Sequence, residues 1–134
     1  MKTEVIWLVV TILAAIYVMR QTSVVDEIAR AIAKAEGFYV PGSKPQRYNN
    51  PGALIDPTTG DLKRFATVEE GWDALRKYIR ERILSRSGPY ASAKTIYDVA
   101  RIYTGGDKPE AWAAIVAGEL GKRPSDWFVG GVSA

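Results

Sequence analysis

A small, mainly helical domain carried behind an apolar N-terminal helix is the fold class this sequence predicts, and three features predict it. The chain opens with a charge-free run, Val5 to Met19 (VIWLVVTILAAIYVM). Apolar residues then recur at helical spacing in later segments, each bounded by a capping residue or a glycine. Between the first two of those segments lie about thirty residues rich in Gly, Pro, Asn and Asp, too many for a plain connector. That stretch has room for one short β-hairpin, which makes the expected class mainly α within an α+β plan.

At 134 residues the chain fits one compact domain and not two. An apolar share of 47% and a charged share of 25% are those of a globular protein. Eighteen basic against fifteen acidic side chains leave a net charge of +3, which favours approach to an anionic polymer or surface without choosing among them. Histidine and cysteine are absent. Their absence excludes a thiolate nucleophile, a Ser-His-Asp system, a cysteine-rich zinc site and a disulfide framework. The scattered acids show no metal-ligand spacing, so neither metal nor cofactor is expected. Acidic residues are mixed into every basic helix face, and no nucleic-acid partner is expected either.

The apolar run covers roughly 22 Å as a helix, and with Lys2 and Arg20 snorkelling at its ends it spans a bilayer. Trp7 and Tyr17 suit the two interfaces. The expected division is therefore a membrane anchor over 1–22 and a folded domain over 23–134, with the lipid bilayer contacted through residues 5–19. A cleaved signal peptide and a partner-packing helix compete with the anchor, and the flanking charges do not fix orientation.

Ser23 is placed to cap a helix over about Val24 to Glu36, whose Val24, Ile28, Ile32 and Ala35 share a face and which Gly37 ends. Ala53-Leu54-Ile55 and Leu62-Lys63-Arg64-Phe65 read as two short strands around Pro57 to Gly60. Thr67 with Glu70 forms a capping box for a long helix to about Ser85, with Trp72, Leu75, Ile79 and Ile83 inward. Thr95 with Asp98 opens a third helix that Gly105-Gly106 terminates. Asp107 with Glu110 opens a fourth, buried through Trp112, Ile115, Val116 and Leu120, and Gly121 stops it. Ser125 to Phe128 adds a short turn against the core.

Glu36 stands out chemically. It lies four residues beyond Ile32, at the rim of an apolar face and at a helix C-terminus, where dipole and desolvation both oppose its charge. An acid kept protonated there suits glycoside cleavage, although an ordinary surface glutamate also fits the position. A second carboxylate among Asp56, Asp61, Glu69 and Glu70 is not singled out.

The segments Ala33-Lys34-Ala35-Glu36-Gly37-Phe38-Tyr39, Arg47-Tyr48-Asn49-Asn50-Pro51-Gly52-Ala53-Leu54, the stretch from Phe65 to Leu75, and Tyr103-Thr104-Gly105-Gly106 resemble those of small phage and bacterial muramidases of the lysozyme and lytic transglycosylase superfamily. The resemblance implies a lysozyme-like domain that cleaves peptidoglycan glycan strands. Glu36 would be its catalytic acid and base, giving 1,6-anhydromuramyl ends, or hydrolytic products as the alternative. It also implies a cleft lined by Tyr103. Asn49 and Asn50 would meet N-acetyl groups or simply form the turn before Pro51-Gly52. Arg47 would meet a stem carboxylate or a loop acid, and Tyr39 and Tyr48 would stack on sugars. The domain would then face the periplasm or cell wall, or sit on a virion membrane. The alternatives are a non-catalytic glycan-binding or structural subunit of a membrane-associated virion or secretion assembly, and a DNA- or lipid-surface-binding helical module.

Overall fold

The computed structural model describes residues 2–130, so Met1 and the last four positions of the expected 23–134 domain lie outside the described residues. Among the described residues five α-helices carry the fold: α1 (Lys2–Ala35), α2 (Lys44–Arg47), α3 (Val68–Tyr78), α4 (Ile96–Tyr103) and α5 (Pro109–Glu119). α3 runs on through Ile79–Leu84 in the wider π winding, and a 3-10 turn covers Gly88–Tyr90.

α1 has two halves on one backbone. From Thr3 to Arg20 every side chain is exposed, while Val25, Ile28, Ala29 and Ile32 in the second half are buried. The helix is long and apolar enough to cross a membrane, which marks the chain as membrane-associated. No new helix starts at Ser23, because extending an existing helix costs far less than nucleating another and the cap there has no free turn to close. Thr22 instead bonds its hydroxyl back to the Val18 carbonyl at 3.0 Å. Gly37, at φ 78°, lets the Phe38 N–H reach the Ala33 carbonyl and close the helix.

The buried half of α1 packs on α3 and its π extension and on α5, with α4 against α5. Leu75, Ile79 and Ile83 meet Ile96, Val99, Trp112 and Val116 in one apolar cluster. Thr67 and Thr95 cap α3 and α4, the latter as a full capping box with Asp98. α5 departs from expectation at its start. Lys108, in the left-handed region at φ 47°, occupies the N-cap position and Pro109 follows as the first helical residue, so Asp107 does not cap. Past α5, the Pro124 and Asp126 carbonyls accept the Tyr97 and Ile96 N–H groups, tying the tail to the start of α4.

The expected hairpin is absent, and with it the α+β, lysozyme-like plan. Among the described residues there is no strand, and Ile55 and Leu62 form an isolated antiparallel bridge. Two backbone bonds flank that bridge, Lys63 N–H to the Leu54 carbonyl and Asp56 N–H to the Asp61 carbonyl, each at 2.8 Å, and side chains hold the rest of the loop. Asn50, fully buried, donates from Nδ2 to the Leu54 and Lys63 carbonyls, each at 2.9 Å, and accepts the Leu54 N–H. Asp56 takes the Thr58 N–H and hydroxyl, tightening the turn into a local knot instead of a two-stranded ribbon.

Two glycines have opposite roles. A Cβ at Gly71 would stand 1.8 Å from the Asn49 carbonyl oxygen, so α3 meets the loop backbone to backbone, whereas a Cβ at Gly118 in α5 meets nothing within 4 Å. Gly71→Ala should therefore destabilise the domain by about 2 kcal/mol or more through overpacking, and Gly118→Ala should stabilise it by about 0.5–1 kcal/mol through helix propensity. Denaturant unfolding of the two variants checks both signs.

Candidate functional site

The loop that Asn50 organises forms one wall of an open groove of about 590 Å³ beyond the C-terminal end of α1. Glu36 contributes from α1, Ala53, Ile55 and Leu62 from the loop, Tyr103 from the end of α4, and Lys108 and Trp112 from the start and body of α5. A second recess of about 410 Å³ flanks the other side of the loop and shares Ala53, Ile55 and Tyr103 with the groove. The two make an extended cleft.

Glu36 is held by a specific contact. Trp112 Nε1–H donates to its carboxylate at 2.8 Å, across 76 residues of chain. Burial pushes the carboxyl above its ordinary range, and the indole bond partly opposes that rise by favouring the charged form. Tyr103 lies against Trp112, ring centroids 5.1 Å apart and planes inclined at 33°. Its hydroxyl donates to the Gly52 carbonyl at 2.5 Å. Burial is the main reason that the phenol stays protonated, and the Glu36 charge adds to it. Gly52 is needed for that approach, since a Cβ there would come within 2.6 Å of Leu75 Cδ1 and 3.0 Å of the Tyr103 oxygen.

The structure brings together only part of the set of residues expected at a site. Glu36 and Tyr103 line one groove. Asn49, at φ 53°, donates to the Phe65 and Ala66 carbonyls, and Asn50 has both amide hydrogens engaged by the loop backbone. Both build the groove wall instead of lining it. Tyr48 is buried, with its hydroxyl accepting from Arg64 at 2.6 Å and the Arg64 guanidinium 3.8 Å from its ring centre. Arg47 donates to the Gly42 carbonyl at 3.1 Å. Tyr39 borders a separate recess with Asp26, Arg30, Trp72 and Arg76. Sequence reasoning treated Trp112 purely as core and missed it as the partner of Glu36. Its periodic position on α5 gives no sign of the indole N–H pointing at a residue so far away in the chain.

Comparison with protein-family models, with curated proteins and with solved structures returns no match. The muramidase resemblance is corrected on that ground and on three structural ones. The fold is all-helical among the described residues and lacks the mixed α+β glycosidase plan. No group of three or more Asp or Glu side chains converges among them, so Glu36 has no acid–base cluster around it. Of the segments that carried the likeness, Asn49, Asn50 and Gly52 are taken up by backbone contacts and close packing. Lytic transglycosylase, hydrolytic muramidase and glycosidase activities are accordingly not retained, and neither is Glu36 as a catalytic acid. The site is a groove with a protonatable wall.

Glu36 gives stability a defined pH dependence. Its folded pKa is raised, so between the ordinary value of 4.5 and the raised one the folded state holds a proton that the unfolded state has lost. Stability should fall as pH rises through that window and level off above it. Glu36→Gln keeps an acceptor for Trp112 and should remove this loss. The stability difference between variant and wild type should then grow with pH above 4.5, as followed by urea unfolding over a pH series. Trp112→Phe should move the titration midpoint of Glu36 higher still, read by carboxyl NMR.

Proposed function

We propose that this chain is a non-catalytic, membrane-anchored subunit whose helical domain holds a glycan strand on the wall-facing side of a bilayer, within a membrane-associated assembly such as a virion or a secretion apparatus. The observation that carries this reading is the position of the groove on α1. Glu36 follows the last residue of the helix whose first half is the apolar span, so the groove stands roughly 24 Å beyond Arg20 along a single rod. Anchor and groove are thereby coupled mechanically, and the domain reaches a polymer lying next to the membrane without a flexible tether.

The lining suits a carbohydrate. Ile55 and Ile115 are exposed on the rim, and the tilted Tyr103–Trp112 pair lies beneath them. Asp107 and Lys108 add polar groups at one side. Sugars present alternating C–H faces and hydroxyls, and an open groove of mixed apolar and polar walls binds both. Glu36 keeps one carboxyl oxygen on the Trp112 indole and has the other available to a sugar hydroxyl.

The test uses the full chain in nanodiscs mixed with insoluble peptidoglycan. Protein should sediment with the glycan while mass spectrometry of the supernatant finds no released fragments. Ile115→Asp on the rim should weaken retention about tenfold, a change of about 1.4 kcal/mol. Protein left in solution, or soluble glycan fragments appearing with time, would contradict the reading.

A further inference from the structure

A separate recess of about 560 Å³ lies at the other end of the buried half of α1. Tyr17, Val18 and Val25 of α1 form one wall, and Arg80, Leu84 and Ser85 form the other. Arg80 and Leu84, four residues apart, share a face of this helix, and the wider π turn of Ile79–Leu84 brings the following Ser85 toward it.

Three observations converge on one occupant. Tyr17 and Val18 belong to the apolar span, so the recess opens at the level where hydrocarbon gives way to headgroups. Arg80 is the single charged group lining it, is exposed, and is in no ion pair among the described residues. Of the three hydroxyls present, Thr22 donates to the Val18 carbonyl and Ser85 to the Glu81 carbonyl, which leaves the Arg80 guanidinium and the Tyr17 phenol as the donors facing the recess. A planar guanidinium above an apolar wall at the bilayer surface matches a phosphodiester attached to acyl chains.

We propose that this recess is a binding site for an anionic phospholipid. The lipid phosphate lies on the Arg80 guanidinium, and its upper acyl carbons pack on Tyr17, Val18 and Leu84. The site rests on the reading of α1 as a membrane anchor, and it fixes the depth and tilt at which the domain sits on the bilayer.

The full chain is reconstituted into nanodiscs of phosphatidylcholine alone and of phosphatidylcholine with phosphatidylglycerol, and the lipids retained on the ejected protein are counted by native mass spectrometry. Phosphatidylglycerol should be retained over phosphatidylcholine, and Arg80→Gln should reduce that preference about fivefold. Lys77→Gln, an equal loss of charge outside the recess, should leave it unchanged. Leu84→Trp, which fills the recess and keeps the charge, should abolish retention. Free glycerol phosphate should fail to displace the lipid. Equal retention of both lipids, or the same preference in Arg80→Gln and Lys77→Gln, overturns the site while the anchor stands. Failure of the chain to enter nanodiscs overturns both.

Discussion

The geometry of this molecule follows from α1 having to meet two solvents along one backbone. Its first half offers apolar side chains on every face and is matched to hydrocarbon. Its second half confines them to one stripe, Val25, Ile28 and Ile32, that is matched to α3 and α5. Because every backbone group along the helix is satisfied within it, the change of environment needs no break, and the helix crosses the boundary as a stiff rod. The positions of α3 with its π extension and of α5 are set by the stripe exposed on the second half, and α4 follows by packing on α5.

From that rod the groove follows. α1 ends where Gly37 turns the chain away, and this leaves Glu36 at the edge of the core instead of in solvent. Trp112 covers it from α5, Tyr103 packs on Trp112, and Tyr103 in turn fixes Gly52 and so the loop. The Trp112–Glu36 and Tyr103–Gly52 contacts lie between segments far apart in sequence, so the groove exists only once the helices have packed. A carboxyl group kept by burial from ionising easily is the electrostatic cost of that arrangement, partly offset by the indole N–H.

What was legible in the sequence is what is local. Thr67, Thr95 and Gly37 act within one turn of themselves, and the structure has caps or a helix end at each. The stripe Leu75, Ile79 and Ile83 is likewise read from spacing, although spacing did not show that the helix widens to π winding there. Local signals misled where a longer-range term overrode them. At Ser23 the capping preference lost to helix propagation, and at Asp107 it lost to Pro109 preset for the first helical turn. The hairpin pattern at 53–65 shrank to one bridge with its flanking backbone bonds, and the buried Asn50 amide ties both sides of the loop together at Leu54 and Lys63. The same explanation covers the functional misreading. Asn-Asn-Pro-Gly looks like a ligand motif, yet Asn49 and Gly52 are there because the loop needs a positive φ and a close approach to Leu75. The rim position of Glu36 was readable from Ile32, whereas its partner, 76 residues on, was not.

The rigidity of α1 across the boundary between its two halves is the claim on which the others rest. The sequence contains no cysteine, so paired spin labels can be introduced at Leu8→Cys and Glu27→Cys, both exposed positions on opposite sides of that boundary. Pulsed electron paramagnetic resonance in nanodiscs should give one narrow distribution, corresponding to a backbone separation of roughly 28 Å for an unbroken helix. A broad distribution, or one centred well below that length, would reveal a hinge near Gln21 and contradict the account.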